Sequence, residues 1–354
     1  MNNILPKSGV NPHGKIIGSQ PFQYRVNTQW CQFKGQQAPV ENCHDMAFDS
    51  KGRLFLVTDH PQNNLIVINP DGTLADAFCT QFPGAHAIRI VQEDDQEFIY
   101  LVDSGWKTNR HWDGKSTEAW DSPFNKVIPQ NGCIAKLTID GHVEFIIGHP
   151  QTIGIYTPDM PFRPTDIVIG DNSDLYVTDG YGSDFVIQYN KHGQYVRHWG
   201  GHENSDTHYN LANTHGIELL SDTQNGSHLL VSSRADMQYK RFTLEGKYID
   251  TIDMHGAWVG RPTLAHNHMF VPVCWSDIDG TNATDSGFVS ILDMNFNPIA
   301  QLGGTTALVD GEEKQQTTWD LFNHVHGIVV DDDGNLYIGQ WRAGNSMPIK
   351  LEKC

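Results

Sequence analysis

Six units of alternating apolar residues, turn clusters between them and the lack of any sustained helical period predict an all-β fold, a six-bladed β-propeller whose ring is closed by an N-terminal strand. The length of 354 residues does not by itself choose between one domain and two. The repeat does, because a four-stranded sheet of roughly 40 to 50 residues cannot bury both faces until it stacks on a neighbour. One propeller domain over residues 1–354 is the expectation.

Taken in order, FQYRVNTQWCQF (22–33) alternates like a strand but belongs to no unit. It is expected to close the ring as the outer strand of blade six, because the chain stops at IKLEKC without room for one. Blade one (44–80) reads HDMAFDSKGRLFLVTD followed by NLIVINPDGTLADAF, with the turns DSKG and NPDG reversing the chain. Blade two (85–148) opens on AHAIRIVQEDDQEFIYLVD, and an insertion over 104–132 interrupts it. Its tryptophans Trp106, Trp112 and Trp120 suggest a flap at the channel mouth, with a self-packed surface loop as the plainer reading. Blades three (164–200), four (214–254), five (261–303) and six (324–354) follow on PTDIVIGDNSDLYVTDG, THGIELLSDTQNGSHLLVSS, RPTLAHNHMFVPVCW and VHGIVVDDDGNLYIGQW. A second insertion, 303–323, is placed to line the same mouth.

Hydrophobic content of 38% supplies a core, and 42 acidic against 24 basic residues give a net charge of −18. That field repels phosphate backbones and anionic lipid, so nucleic-acid and membrane partners are excluded and a small-molecule substrate is expected. No segment has the length of a membrane span or the pattern of a secretory signal, and the expectation is a cytoplasmic protein. Six scattered cysteines without a CxxC read as free thiols.

The chemistry lies in the histidines. The first strand of each blade lines the axis, and aligning the units brings His44, His86, Asp166, His215, Pro262 and His326 to one level. The phrases AHAI, THGI and VHGI make His86, His215 and His326 equivalent. Buried imidazoles without a cation lack partners, whereas a divalent metal satisfies several together, and three histidines with an open position is the pattern of catalytic zinc. Zinc or another divalent transition metal is therefore expected on these three, with His44 or His324 as a possible fourth ligand or supporting group. Tyr181 in VTDGYG and Arg234 in VSSRAD end second strands facing the same mouth. A cation and a guanidinium would pull the phenol below its usual value of about 10, making Tyr181 a base. His60, Asp166, Trp106 and Arg261 are expected to face the substrate. His142, His192 and His228 are assigned to hairpin turns.

The blade-three string PTDIVIGDNSDLYVTDGYGSDFVIQYNKHGQYVRHWG resembles NHL-type propellers, in particular the peptidyl-hydroxyglycine amidating lyase and its bacterial relatives. The resemblance covers about residues 40 to 342. It implies zinc on His86, His215 and His326, Tyr181 as base, Arg234 as its support, and a lyase acting on a small hydroxylated substrate. Three positions depart from that family: Thr58-Asp59-His60 where it has a substrate-binding arginine, Gly327 for an aspartate, and His324 for a methionine. The alternatives are a metal-dependent hydrolase of the lactonase kind and a non-catalytic NHL-type module that binds another protein.

Overall fold

The computed structural model describes residues 9–33, 35–60, 62–109, 111, 127–221, 226–278, 280–309, 311–341 and 347–354. It is an all-β, six-bladed propeller. Blade one is the antiparallel sheet Cys43–Phe48, Leu54–Thr58, Leu65–Ile68 and Leu74–Phe78. Blade two follows with Ala85–Glu93, Gln96–Asp103, Cys133–Thr138 and Val143–Ile147, and blade three with Asp166–Ile169, Leu175–Thr178, Phe185–Tyr189 and Tyr195–Gly200. Blade four is Thr214–Leu220, His228–Ser233, Gln238–Thr243 and Tyr248–Asp253. His228 thus opens a strand instead of sitting in a turn.

Blade five is built on His268–Ile278, Phe288–Leu292 and Pro298–Leu302. Its inner strand is split into Ala257–Val259 and Thr263–Ala265 by Gly260, Arg261 and Pro262, since proline offers no N–H to a ladder. Blade six comprises Val325–Val330, Leu336–Gln340 and Ile349–Lys353, Tyr24–Asn27 pairs with the last of these as fourth strand, and the short Ile16–Ile17 pairs outside it. The closing strand is shorter than the alternating run suggested: beyond Asn27 the chain leaves the sheet, and Trp30 instead donates its Nε1–H to the Pro348 carbonyl at 2.6 Å.

Six hydrophobic clusters, one at each junction of successive blades, hold the described ring together. Leu101 and Ile88 of blade two pack with Phe55 and Val67 of blade one, and Val329 and Tyr337 of blade six pack with Met46 and Leu56 of blade one. No blade owns a whole core, so each is stable only between its neighbours.

Each insertion contributes a pair of antiparallel strands. Trp106–Thr108 pairs with Val127–Pro129, and Gly304–Val309 pairs with Glu312–Thr317. Trp112 and Trp120 lie outside the described residues. No helix among the described residues is long and apolar enough to cross a membrane. None of the six cysteines forms a disulfide.

Inner strands one, two, four and six share a defect. Their ladder registers shift between Cys43 and Asp45, Ala85 and Ala87, Thr214 and Ile217, and Val325 and Gly327, in each case at the histidine. Blade three, which has Asp166 at that level, pairs without a shift. A bulge lets one residue leave the pleat and re-aims its side chain. Here it turns an imidazole toward the axis.

Candidate metal centre and active site

His44, His86, His215 and His326 meet on the axis with neighbouring ring centroids 4.7 to 5.0 Å apart. His86 Nδ1–H donates to the Thr165 carbonyl and His326 Nδ1–H to the His44 carbonyl, both at 2.7 Å. Each bond runs to the next blade and leaves Nε2 as the unprotonated nitrogen, the one able to bind a cation. His44 is gripped from the other side, its Nε2–H donating to Asp59 Oδ2 at 3.1 Å. Its Nδ1 is buried with no hydrogen-bond partner among the described residues.

That orphan nitrogen is the test of whether a metal fits. A buried acceptor without a donor is costly unless something binds there. One donor atom from each of His44, His86 and His326 lies within 4.8 Å of the others, close enough to share an ion. Burial pushes His86, His215 and His326 well below the ordinary imidazole range, with neighbouring positive charge adding to the effect at each. They are neutral near pH 7, the form that ligates metal. The set fits a transition metal of the kind imidazole favours, not an oxygen-ligated calcium. His215, placed by sequence in the ligand trio, lies beside this compact group, with its Nε2 2.6 Å from the Tyr181 hydroxyl.

Tyr181 also lies 3.3 Å from His86 Nε2, and the positive charge of Arg234, whose Nε donates to Asn213 Oδ1 at 2.7 Å, acts on its phenol. Burial raises Tyr181 above its usual value, and Arg234 only partly offsets that. Trp106, the first residue of the blade-two hairpin, stacks on Tyr181 at 4.9 Å and 17°. On the other side, Arg234 lies 4.9 Å over Trp275, which meets His324 and Trp341 at 5.6 and 6.0 Å. His324 is therefore buried in an aromatic group of its own: a left-handed φ of 54° breaks the alternation assumed for it. Cys274, pushed up to about 12 by burial, adjoins Tyr181 and Arg234.

Asp166 and Arg261 come to the axis but bind each other, Arg261 Nη1 donating to Asp166 at 3.1 Å. Arg89 and Glu218 extend this ion-paired group, and with the four histidines Asp166 and Arg261 line a cavity of about 20 Å³. Such a space holds one water-sized group. His60 is half-buried, its Nδ1 accepting from the Gln62 N–H at 3.2 Å. Asp59 went unread as a site residue. The sequence carried its signal in the aspartates that end the second strands of blades one to three. Asp103 and Asp179 staple backbone N–H groups and burial pushes them up to about 6 and about 7. Burial opposes the charge of Asp59 too, but His44 and Asn42 donate to it and hold it below the usual carboxyl range.

No protein-family model matches the sequence, and no curated protein matches it. Solved structures do share its architecture. A streptogramin B lyase superposes with a TM-score of 0.57 at 12% identity, covering 93% of this chain and 97% of that one. XC5397 from Xanthomonas campestris, described as a gluconolactonase, gives 0.57 at 11% identity, covering 97% and 99%. A catalytically inactive histidine-to-alanine variant of the Staphylococcus aureus virginiamycin B lyase, with quinupristin, gives 0.51 at 11%, covering 93% and 99%. At these identities the likeness is one of fold.

Proposed function

We propose that this propeller is a metal-dependent lyase that acts on a small hydroxylated substrate at the His-lined mouth, with Tyr181 moving the proton. One observation carries the reading. Arg234 is only 3% exposed and has no carboxylate partner among the described residues, whereas Arg89 and Arg261 each have at least two. A buried guanidinium needs a counter-charge. Its Nε donates to the neutral Asn213 Oδ1 at 2.7 Å and its charge favours the ionised form of the Tyr181 phenol, so a phenolate there would supply the missing counter-charge.

A divalent metal ion, proposed to be zinc, on His44, His86 and His326 with His215 adjoining would supply Lewis acidity and the positive charge that brings the Tyr181 phenol down. Tyr181 Oη, as phenolate, takes the proton of the substrate hydroxyl. The freed O–H pair becomes the second bond of a new carbonyl, and the bond from the same carbon to its heteroatom breaks. Its electron pair leaves with the heteroatom, which recovers the proton from Tyr181. Arg234 holds the phenolate in place, and the Trp106 indole keeps water from it. That lyases are found on this architecture, one of them inactive without a single histidine, supports the reading. So does the division of labour implied by the amidating-lyase resemblance.

The test is turnover, followed as carbonyl release from a panel of compounds that carry the hydroxyl and the leaving nitrogen or oxygen on one carbon, with lactones as the hydrolase control, together with elemental analysis. Tyr181→Phe is expected to lower turnover by a factor of about 10²–10⁴ while metal content stays unchanged. Undiminished turnover in that variant, or lactone opening without carbonyl release, overturns the lyase assignment.

A further inference from the structure

We infer that Arg261 is a positioning residue, a single guanidinium that clamps the two peptide segments whose carbonyls orient His86 and His326. Its Nη2 donates to Asp45 Oδ1 at 2.7 Å and its Nη1 to Asp166 Oδ1 at 3.1 Å. Asp45 directly follows His44, whose carbonyl receives the His326 Nδ1–H. Asp166 directly follows Thr165, whose carbonyl receives the His86 Nδ1–H. Both carboxylates are also tied at their other oxygen, Asp45 Oδ2 to the Ile88 N–H at 2.9 Å and Asp166 Oδ2 to the Ile217 N–H at 3.0 Å.

Five blades thus meet at one side chain: Arg261 from blade five, Asp45 and Asp166 from one and three, and Ile88 and Ile217 from two and four. The planar fork of arginine spans two carboxylates at fixed spacing, which the point charge of lysine does not. If either segment moved, its carbonyl would leave the imidazole it holds, and the Nε2 lone pair would swing off the axis. Nη1 and Nη2, the donors that sequence assigned to substrate, are both engaged inside the protein, and Nε lies 4.0 Å from Glu218.

The metal enters only one arm of the test, and that arm rests on the proposed function. In metal-free protein the imidazole Nδ1–H signals of His86 and His326 are followed by nitrogen-proton correlation NMR. Both should be protected in the wild type and lost in Arg261→Met. They should persist in Arg89→Met, which removes the contacts to Asp166, Glu218 and the Ile167 and Ile217 carbonyls but leaves the Arg261 bonds to Asp45 and Asp166 and the Thr165 and His44 carbonyls untouched. Zinc affinity by chelator competition should fall about tenfold in Arg261→Met and recover in part in Arg261→Lys. Both signals intact in Arg261→Met overturns the clamp whatever zinc does. A wild type that takes up no zinc defeats the metal reading, and the NMR arm still decides the clamp. Should Arg261→Met fail to fold, Asp166→Asn supplies the same readout at His86.

Discussion

Each axial imidazole is a neutral base held where protonation is opposed by burial and by its neighbours, and that has a consequence for the metal-free chain. Folded-state values for His86, His215 and His326 lie well below the 6.5 of an exposed histidine. Below pH 6.5 the unfolded chain takes up protons that the folded one refuses, so stability is full above that point and falls as the medium becomes more acid. Each group contributes up to about 1.4 kcal/mol per pH unit in that window. Urea unfolding of metal-free protein between pH 7.5 and 5.5 should therefore weaken steeply. His215→Gln should flatten the slope, and a pH-independent midpoint would show the imidazoles to be solvated. These histidines were legible because type and register coincide in AHAI, THGI and VHGI. Asp59 was not, because an aspartate after a strand reads as a turn residue until His44 is seen to face it.

At the level of strands, what positions the site is the repeated bulge and the small residue beside it. An ideal Cβ at Gly327 would stand 2.6 Å from the His44 carbonyl oxygen, and one at Gly216 would stand 2.4 Å from the Arg261 nitrogen. Real Cβ atoms do not approach backbone so closely, which accounts for glycine at 327 where the resembling family has aspartate. Gly327→Ala is expected to push blade six from blade one, lengthen the His326 to His44 contact and lower zinc affinity about tenfold or more, with a stability loss of about 1–3 kcal/mol. Calorimetric titration with zinc and urea unfolding check the two parts, and wild-type affinity in the variant would remove the close approach from the argument. The four-strand blades could be read from period-2 alternation, yet the bulges could not, since a one-residue shift in pairing leaves no mark in an alternating pattern. The split inner strand of blade five had its signal in Pro262.

For the whole molecule, the ring makes local events global. Every hydrophobic cluster is shared between two blades, and the last of them is completed by a strand from the opposite end of the chain. Tyr24 on that strand is 1% exposed and packs with Phe322, Ile338 and Leu351 among the residues joining blades five and six. Truncating it opens the seam where the ring is closed, and with no blade able to keep a core alone the loss spreads around the circle. Tyr24→Ala should lower unfolding free energy by about 3–5 kcal/mol in a single transition. The axial site lies far from Tyr24 in sequence but is assembled by the same closure, because His326 of blade six bonds to His44 of blade one. A ligand that binds only the closed ring must therefore stabilise the variant as it does the parent, and zinc at about a thousand times its dissociation constant should restore about 4 kcal/mol. Near-ultraviolet circular dichroism in urea, with and without zinc, measures both quantities. Two separate transitions, or a metal effect confined to one of them, would mean that the blades around the histidines fold without the closing strand.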